Sequence, residues 1–267
     1  MTEPRTLAPP ERRLAVVCGV ETLGAYELVT AIDAGGPSDP RPGQFYMLAA
    51  DERWGGGGDE RPYLPRAFSY ARARPESDGL ALSFLLEAVG PGTIRLAELV
   101  ADEGLWLLGP LGAGFRAPAE GTRALLVGGG IGAAPLLCLQ EELREALVLL
   151  GFRSAAHAQA AALFAGEPQV VTDDGSVGRQ ALVTELLAAD LDADPRATVY
   201  ACGPPAMLES VRVLCAERDV PAQLAMESGM ACGFGACFGC VVPTREGYVR
   251  LCVDGPVLEA AALETAL

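Results

Sequence analysis

The sequence predicts a β plus α/β chain in three units: an N-terminal antiparallel β-barrel over residues 1–117, a parallel-sheet α/β domain over 118–222, and a small cysteine-bearing unit over 223–267. Three observations carry that reading. Short apolar runs broken by turn residues fill the first stretch, apolar runs alternating with helical spacing fill the second, and glycine and cysteine crowd the third. With 267 residues, 50% of them hydrophobic, the chain can bury two ordinary cores and carry an appendage.

In the barrel the β-type runs are RLAVVCGVE, AYELVTAID, GQFYMLAA, RAFSYAR, LALSFLLEAV and GLWLLGP, a spacing that suits a small antiparallel barrel. DERWGGGGDERP, residues 51–62, reads as a flexible hairpin insertion without chemistry. In the α/β unit ALLVGG, ALVLLGF, PQVVT and ATVYAC are short apolar runs, each followed by a helical segment, which points to a parallel sheet with helices on its faces. GRQALVTELLAAD, residues 178–190, reads as a helix with Leu182, Leu186 and Leu187 on one stripe. The remainder, from Gln223, is too short to bury a core alone, so a metal centre is expected to supply what packing cannot.

A net charge of −15 and a pI near 4.5 argue against nucleic acid or an anionic membrane as partner, leaving small molecules or another protein. The start, MTEPRTLAPPERRLAVV, lacks an early apolar stretch of signal-sequence type. The most apolar stretch, Ala124–Gln140, is interrupted by glycines and a proline and falls short of the ~20 residues of a membrane span. A cytoplasmic setting is therefore expected. There thiols stay reduced, so clustered cysteines bind metal rather than pair as disulfides. Cys18, Cys138 and Cys215 stand singly in apolar contexts and are expected to be small buried hydrophobes.

Cys232, Cys237 and Cys240, followed by Cys252, have the spacing C-x4-C-x2-C-x11-C, the plant-type arrangement for a 2Fe-2S cluster. Gly233, Gly235 and Gly239 allow the sharp turns such a compact core demands, and the amides there can hydrogen-bond sulfur. Structural zinc also accepts four cysteines, though more often as two separated pairs. Cys237 and Cys240 alone read as a redox pair.

GGGIGAAP, residues 128–135, follows the strand ALLV and opens a helix; Gly128, Gly130 and Ala133 fit G-x-G-x-x-[GA], a phosphate cradle. The acid expected some twenty residues later on a ribose is absent, GFRSAAH standing there, and a tight turn without a ligand is the plainer alternative. TDDGSVG (172–178) and CGPPAML (202–208) also end strands at the carboxyl edge, and three such loops on one edge make a binding crevice. RAFS (66–69) and GPGT (90–93) offer an arginine, an aromatic ring and hydroxyls for a phosphate and a planar ring. His157, the only histidine, has a surface or capping place, so a hydrolytic triad is not supported.

Taken in order, these motifs resemble the ferredoxin-reductase-like family, and within it the electron-transfer subunits of class B dihydroorotate dehydrogenases. The likeness runs over nearly the whole chain. It implies FAD at the R-x-[YF]-S motif, here Arg66, Ala67, Phe68 and Ser69, at Leu85, Leu86 and Glu87, and at the G-x-G-T motif of Gly90, Gly92 and Thr93. Ala67 and Glu87 stand where relatives usually carry proline and often arginine. GPLGAGF (109–115) resembles the segment joining flavin barrel to nucleotide domain. The resemblance implies NAD at Gly128, Gly130, Gly132, Gly203 and Pro204, with Cys202 the catalytic candidate beside the nicotinamide. MESGMACGFGACFGC, from Met226, is the most specific match and places the cluster ligands at Cys232, Cys237, Cys240 and Cys252. The implied activity is electron transfer in pyrimidine biosynthesis: NAD, FAD and the 2Fe-2S cluster connect to an FMN on a separate catalytic subunit that oxidises dihydroorotate, in a heterotetramer. Homologous subunits of hydrogenases, sulfide dehydrogenases and bifurcating transhydrogenases are the nearer rival, and a zinc-stapled, non-catalytic binding module the more distant one. Arg153, the single basic residue after the second α/β strand, favours NAD over NADP; Thr172–Gly178 is a further candidate to touch the nucleotide.

Overall fold

The computed structural model describes residues 5–9, 11–56 and 61–267. Alternating burial marks Arg13–Leu23 (β1) and Tyr26–Asp33 (β2) as strands with one face on a core. They join Phe45–Ala50 (β3), Arg66–Ser69 (β4), Arg72–Glu76 (β5), Gly79–Leu86 (β6) and Gly104–Leu111 (β7) in an antiparallel sheet of order β4-β3-β7-β1-β2-β6-β5, with the short helix Pro91–Ala97 (α1) between β6 and β7. The run RAFSYAR is thus two strands rather than one. Only Tyr70 and Ala71 separate β4 from β5, yet these strands occupy opposite edges, so the sheet has to curl into a barrel. Tyr70 makes the corner by turning inward and donating its hydroxyl to the Pro40 carbonyl at 2.8 Å. Within the barrel Arg13 forks onto Asp33, Nε to Oδ1 at 3.0 Å and Nη2 to Oδ2 at 2.7 Å, and also donates to the Gly109 carbonyl.

The second sheet contains Arg123–Gly129 (β8), Leu147–Phe152 (β9), Gln169–Thr172 (β10), Arg179–Gln180 (β11), Ala197–Cys202 (β12) and Ala222–Ala225 (β13), all parallel, in the order β11-β10-β9-β8-β12-β13. Both faces are covered, which is why its central strands read as unbroken apolar runs. Leu126, Leu150 and Tyr200 face Ala133–Glu142 (α2), and Leu125, Val127, Leu149 and Val199 face Val183–Ala193 (α4) and Pro205–Glu217 (α5). A short helix, Ala155–Ala158 (α3), follows β9.

The helix expected over 178–190 begins only at Val183; Arg179 and Gln180 pair with β10, and Leu182 is the exposed residue capping the helix. Its buried stripe is Val183, Leu187 and Leu191, four residues apart, rather than Leu182, Leu186 and Leu187. Cys138 and Cys215 are buried as expected, but Cys18 is exposed: it sits at the irregularity between Val17 and Gly19 in the β1–β2 pairing. The 51–62 insertion has a structural part in the barrel that its glycines hide. Asp51 accepts from the Trp106 indole at 2.7 Å and the Glu52 carbonyl accepts from Arg95, while residues 57–60 lie outside the described residues.

After β13 the chain forms the cysteine loop, a hairpin of Val241–Thr244 (β14) and Gly247–Arg250 (β15), and Val257–Glu259 (β16), which joins the second sheet antiparallel to β13. Cys240, Leu251, Cys252, Leu263 and Ala266 pack into the same apolar cluster as Leu125, Val199 and Val211. The tail therefore borrows its neighbour's core instead of depending on a metal alone. Among the described residues no helix is long and apolar enough to cross a membrane.

Candidate functional site

Two cavities meet between the sheets. The first, about 310 Å³, opens on the barrel side and is lined by Ala67, Phe68 and Ser69 of β4, by Leu85, Glu87 and Thr93, and by Cys202, Glu227, Ser228 and Met230. Arg66 does not line it directly. Its guanidinium lies over the Trp54 ring at 5.8 Å and against Gly92, where a Cβ would fall 2.6 Å from Nε. This contact joins the RAFS and GPGT stretches. The Thr93 hydroxyl accepts from the amides of Val89 and Gly90 at 2.9 and 3.0 Å, so it shapes the turn beside the cavity. Leu86 points into the barrel core instead.

The second cavity, about 650 Å³, crosses the carboxyl ends of β8, β9, β10 and β12. Gly130 and Gly132, with Gly203 and Pro204, line it; Gly128 lies beneath, where a Cβ would press on Leu150 and Leu136. Gly130 holds a φ of +55°. Gly132 lies so close to β12 that a Cβ would stand 2.4 Å from the Cys202 carbonyl oxygen. These two positions explain the glycines: one needs the left-handed backbone and the other needs the space. Loop amides and the start of α2 there suit a phosphate group.

The cavities share Glu87, Val89, Ile131, Gly132 and Glu227 as a common wall. Glu87 is ion-paired with Arg153, and Arg153 also meets His157 Nε2 at 2.8 Å, while His157 Nδ1 is 2.9 Å from the Ser154 hydroxyl. His157 further meets Tyr26 edge-to-face at 5.6 Å. The histidine is thus part of a latch between barrel and α/β unit, more than the surface or capping place its sequence context suggested. Burial pushes the Cys202 thiol well up, so it is held protonated against the wall. Glu227 can be reached by solvent at the mouth, yet the atoms crowding it desolvate its carboxyl and raise its pKa. Sequence reasoning passed over Glu227, Tyr26 and Trp54; position next to the cysteine motif was the one signal for the first.

The cysteine loop leaves the wall directly: Met230 lines the barrel cavity and Cys232 follows two residues later. Gly233 presses on β3, where a Cβ would meet Met47 at 2.5 Å. The four thiols stand as two pairs. Cys240 and Cys252 are 3.2 Å apart, sulfur to sulfur, and Cys232 is hydrogen-bonded to the Cys237 side chain and accepts the Cys237 amide at 3.4 Å. Burial raises the Cys232 thiol, but the surrounding amides outweigh it and bring it down to about 6. Burial and the Cys240 thiol push Cys252 up to about 12. Among the described residues no three such side chains converge to hold a single ion. Two pairs of thiols can give two thiolates to each iron of a dinuclear cluster, the donor set such a cluster takes.

A family model for the iron-sulfur cluster binding domain of dihydroorotate dehydrogenase B matches residues 227–264. The electron transfer subunit of dihydroorotate dehydrogenase B (NAD(+)) from Bacillus caldolyticus is 44% identical over 234 residues, 82% of this chain and 85% of that one. Its counterpart from Clostridium acetobutylicum is 34% identical over 246 residues, 91% of this chain and 94% of that one. Among solved structures, an NADH-dependent reduced ferredoxin-NADP oxidoreductase studied for flavin-based electron bifurcation superposes with a TM-score of 0.77 at 22% identity, covering 96% of this chain and 92% of that one. That likeness concerns the fold: antiparallel barrel, parallel sheet and tail together.

Proposed function

This chain belongs to the family of dihydroorotate dehydrogenase B electron transfer subunits, and on that premise we propose that it carries electrons between NAD(H) and an FMN-containing dihydroorotate dehydrogenase subunit through bound FAD and a 2Fe-2S cluster. The observation that carries the reading is contiguity. The nucleotide cavity and the barrel cavity share one wall, and the cysteine loop starts from it.

In this reading residues 1–117, 118–222 and 223–267 are the flavin, nucleotide and cluster units. Arg66, Ala67, Phe68, Ser69, Leu85, Glu87, Gly92 and Thr93 would hold FAD, Arg66 supplying charge for its phosphates. Leu86 supports the site from the core side. Gly130, Gly132, Gly203 and Pro204 would hold NAD, with Gly128 packing the loop from below, and the protonated Cys202 closes the barrel cavity on the β12 side. Cys232, Cys237, Cys240 and Cys252 bind the cluster. When bound, FAD supplies the exchange between two-electron and one-electron carriers, and the protein supplies alignment and exclusion of water. Phe234 and Phe238 in the cysteine loop and Tyr248 on β15, exposed at 60, 63 and 80%, offer an aromatic face on which the catalytic subunit docks, in a heterotetramer. The net charge of −15 accords with a cytoplasmic setting.

Co-expression with the FMN subunit tests the proposal. Dihydroorotate-dependent reduction of NAD+ is expected only when both chains are present. If the FMN subunit alone reduces NAD+ equally fast, or the two chains do not associate while each holds its cofactors, the assignment is wrong.

A further inference from the structure

Apart from its thiols, the cysteine stretch from Met226 to Cys240 has one ionisable side chain, Glu227 at the cavity wall, and no cation. A cation is brought to it from β15. Arg250, the last residue of that strand, donates from Nη1 to the Gly235 carbonyl at 3.2 Å and lays its guanidinium over the Phe238 ring at 5.4 Å. Cys237 lies between these two contacts in the chain. Both held residues have left-handed backbones, φ +85° at Gly235 and +57° at Phe238, the second a costly conformation for an aromatic residue and one that needs outside support. The fit at Gly235 is close: a Cβ there would stand 3.1 Å from Arg250 Nη1 and 2.7 Å from Val253 Cγ2.

The residues that follow Arg250 reach the other thiol pair. Leu251 donates its amide to the Cys240 carbonyl at 3.1 Å, and the Cys252 amide lies 3.5 Å from Cys240 Sγ. Arg250 thus stands where the loop bearing Cys237 meets the turn bearing Cys252. The loop it pins presents the Cys237 amide to Cys232 Sγ at 3.4 Å, with the amides of Phe234 and Ala236 aimed at the same sulfur and that of Gly235 at Cys252. Asp254 Oδ2 accepts the Arg250 amide at 2.8 Å but stands 3.9 Å from Nε, so it fixes the turn and offsets the charge only in part.

Resting on the cluster reading above, we propose that Arg250 is a positioning residue for the 2Fe-2S cluster, holding the amide-bearing loop on the sulfurs and favouring the reduced cluster with its charge. Reduction by one electron, passed from the flavin, adds one negative charge and breaks no bond. A fixed cation at the loop therefore shifts the equilibrium toward the reduced form, as do the amides it keeps in place. With its side chain 35% exposed, Arg250 keeps part of that effect against screening by solvent.

The test is an anaerobic redox titration of the cofactor-loaded protein with dithionite and mediator dyes, the reduced cluster followed by its EPR signal and iron measured per chain. Arg250→Met and Arg250→Gln are expected to keep their iron and to weaken electron uptake by the cluster about tenfold, which is about 59 mV for a one-electron couple. Arg250→Lys, which keeps the charge, is expected to stay within about threefold of the unaltered protein. An arginine that only held the fold would change iron content without moving the potential of the clusters that remain. Met and Gln variants with full iron and electron uptake within about twofold of the unaltered protein overturn the proposal, and so does loss of iron in all three variants. If the unaltered protein binds no iron and shows no cluster bands, the cluster reading itself falls and takes Arg250 with it.

Discussion

Replacing Gly132 by alanine separates the two demands placed on the glycine loop. A Cβ at Gly132 would stand 2.4 Å from the Cys202 carbonyl oxygen and 2.6 Å from the Gly203 nitrogen, about 1 Å short of the 3.4 Å at which ordinary contact begins. Both obstacles are backbone, and β8 and β12 are hydrogen-bonded up to the pair Gly128 and Cys202, so the loops cannot part without breaking the ends of two strands. Overpacking of this kind costs about 1–3 kcal/mol. For a chain of this size that is a fall in Tm of about 3–9 °C. Gly130→Ala is the comparison: its φ of +55° costs about 1 kcal/mol, but its Cβ meets nothing nearer than the Tyr26 hydroxyl at 3.7 Å. Thermal melts followed by NADH titration are therefore expected to rank Gly132→Ala as the more damaging, with NADH affinity down about tenfold or more because the amides no longer face the pyrophosphate. A Gly132→Ala protein that melts and binds NADH as the unaltered one does would refute the close approach of the two loops.

Other sites give independent checks. Asp33→Asn leaves Arg13 buried without its charge partner and is expected to lower stability by about 3–5 kcal/mol in urea denaturation, whereas removing both charges with Arg13→Met and Asp33→Leu restores much of the loss. Glu209 is held down to about 2, first by Arg212 and then, against burial, by the Ala266 amide and the Thr265 hydroxyl. Because that lies below the ordinary 4.5, the carboxylate's contribution is present above pH 4.5 and disappears as the pH falls towards 2. Glu209→Gln is accordingly expected to cost about 1 kcal/mol at pH 7, with the difference vanishing in melts at low pH. Cys240→Ser or Cys252→Ser breaks one thiol pair, and iron analysis is expected to fall from about two per chain toward none while flavin absorbance persists.

What could be read in the sequence was local. The cysteine spacing and the glycine turn each lie within one short stretch, and the surrounding residues impose the turns that chemistry needs. What could not be read joins residues far apart in the chain. Glu87 looks like a departure from a flavin motif until Arg153 is found against it, and Arg66 is an ordinary strand arginine until Gly92 receives it. Leu182 carries an apolar side chain at helical spacing, which is indistinguishable by period from a core position. Its cavity-facing place is set by the two-residue strand β11, too short to leave a pattern. RAFSYAR fails in the same way, since nothing in its alternation reveals that the sheet turns a corner at Tyr70. Asp173 sits in a loop whose Asp-Gly content equally suits a bare turn, and only the order of strands brings it to the cavity.

In the proposed function the nucleotide, flavin and cluster sites form one continuous path. An anaerobic titration of the purified, cofactor-loaded chain with NADH, followed by visible absorbance, tests it most directly. Flavin and iron-sulfur bands are expected both to be present and to bleach together as NADH is added. Flavin that bleaches while the cluster bands stay unchanged would contradict the path, and a colourless folded protein containing zinc would contradict the redox reading altogether.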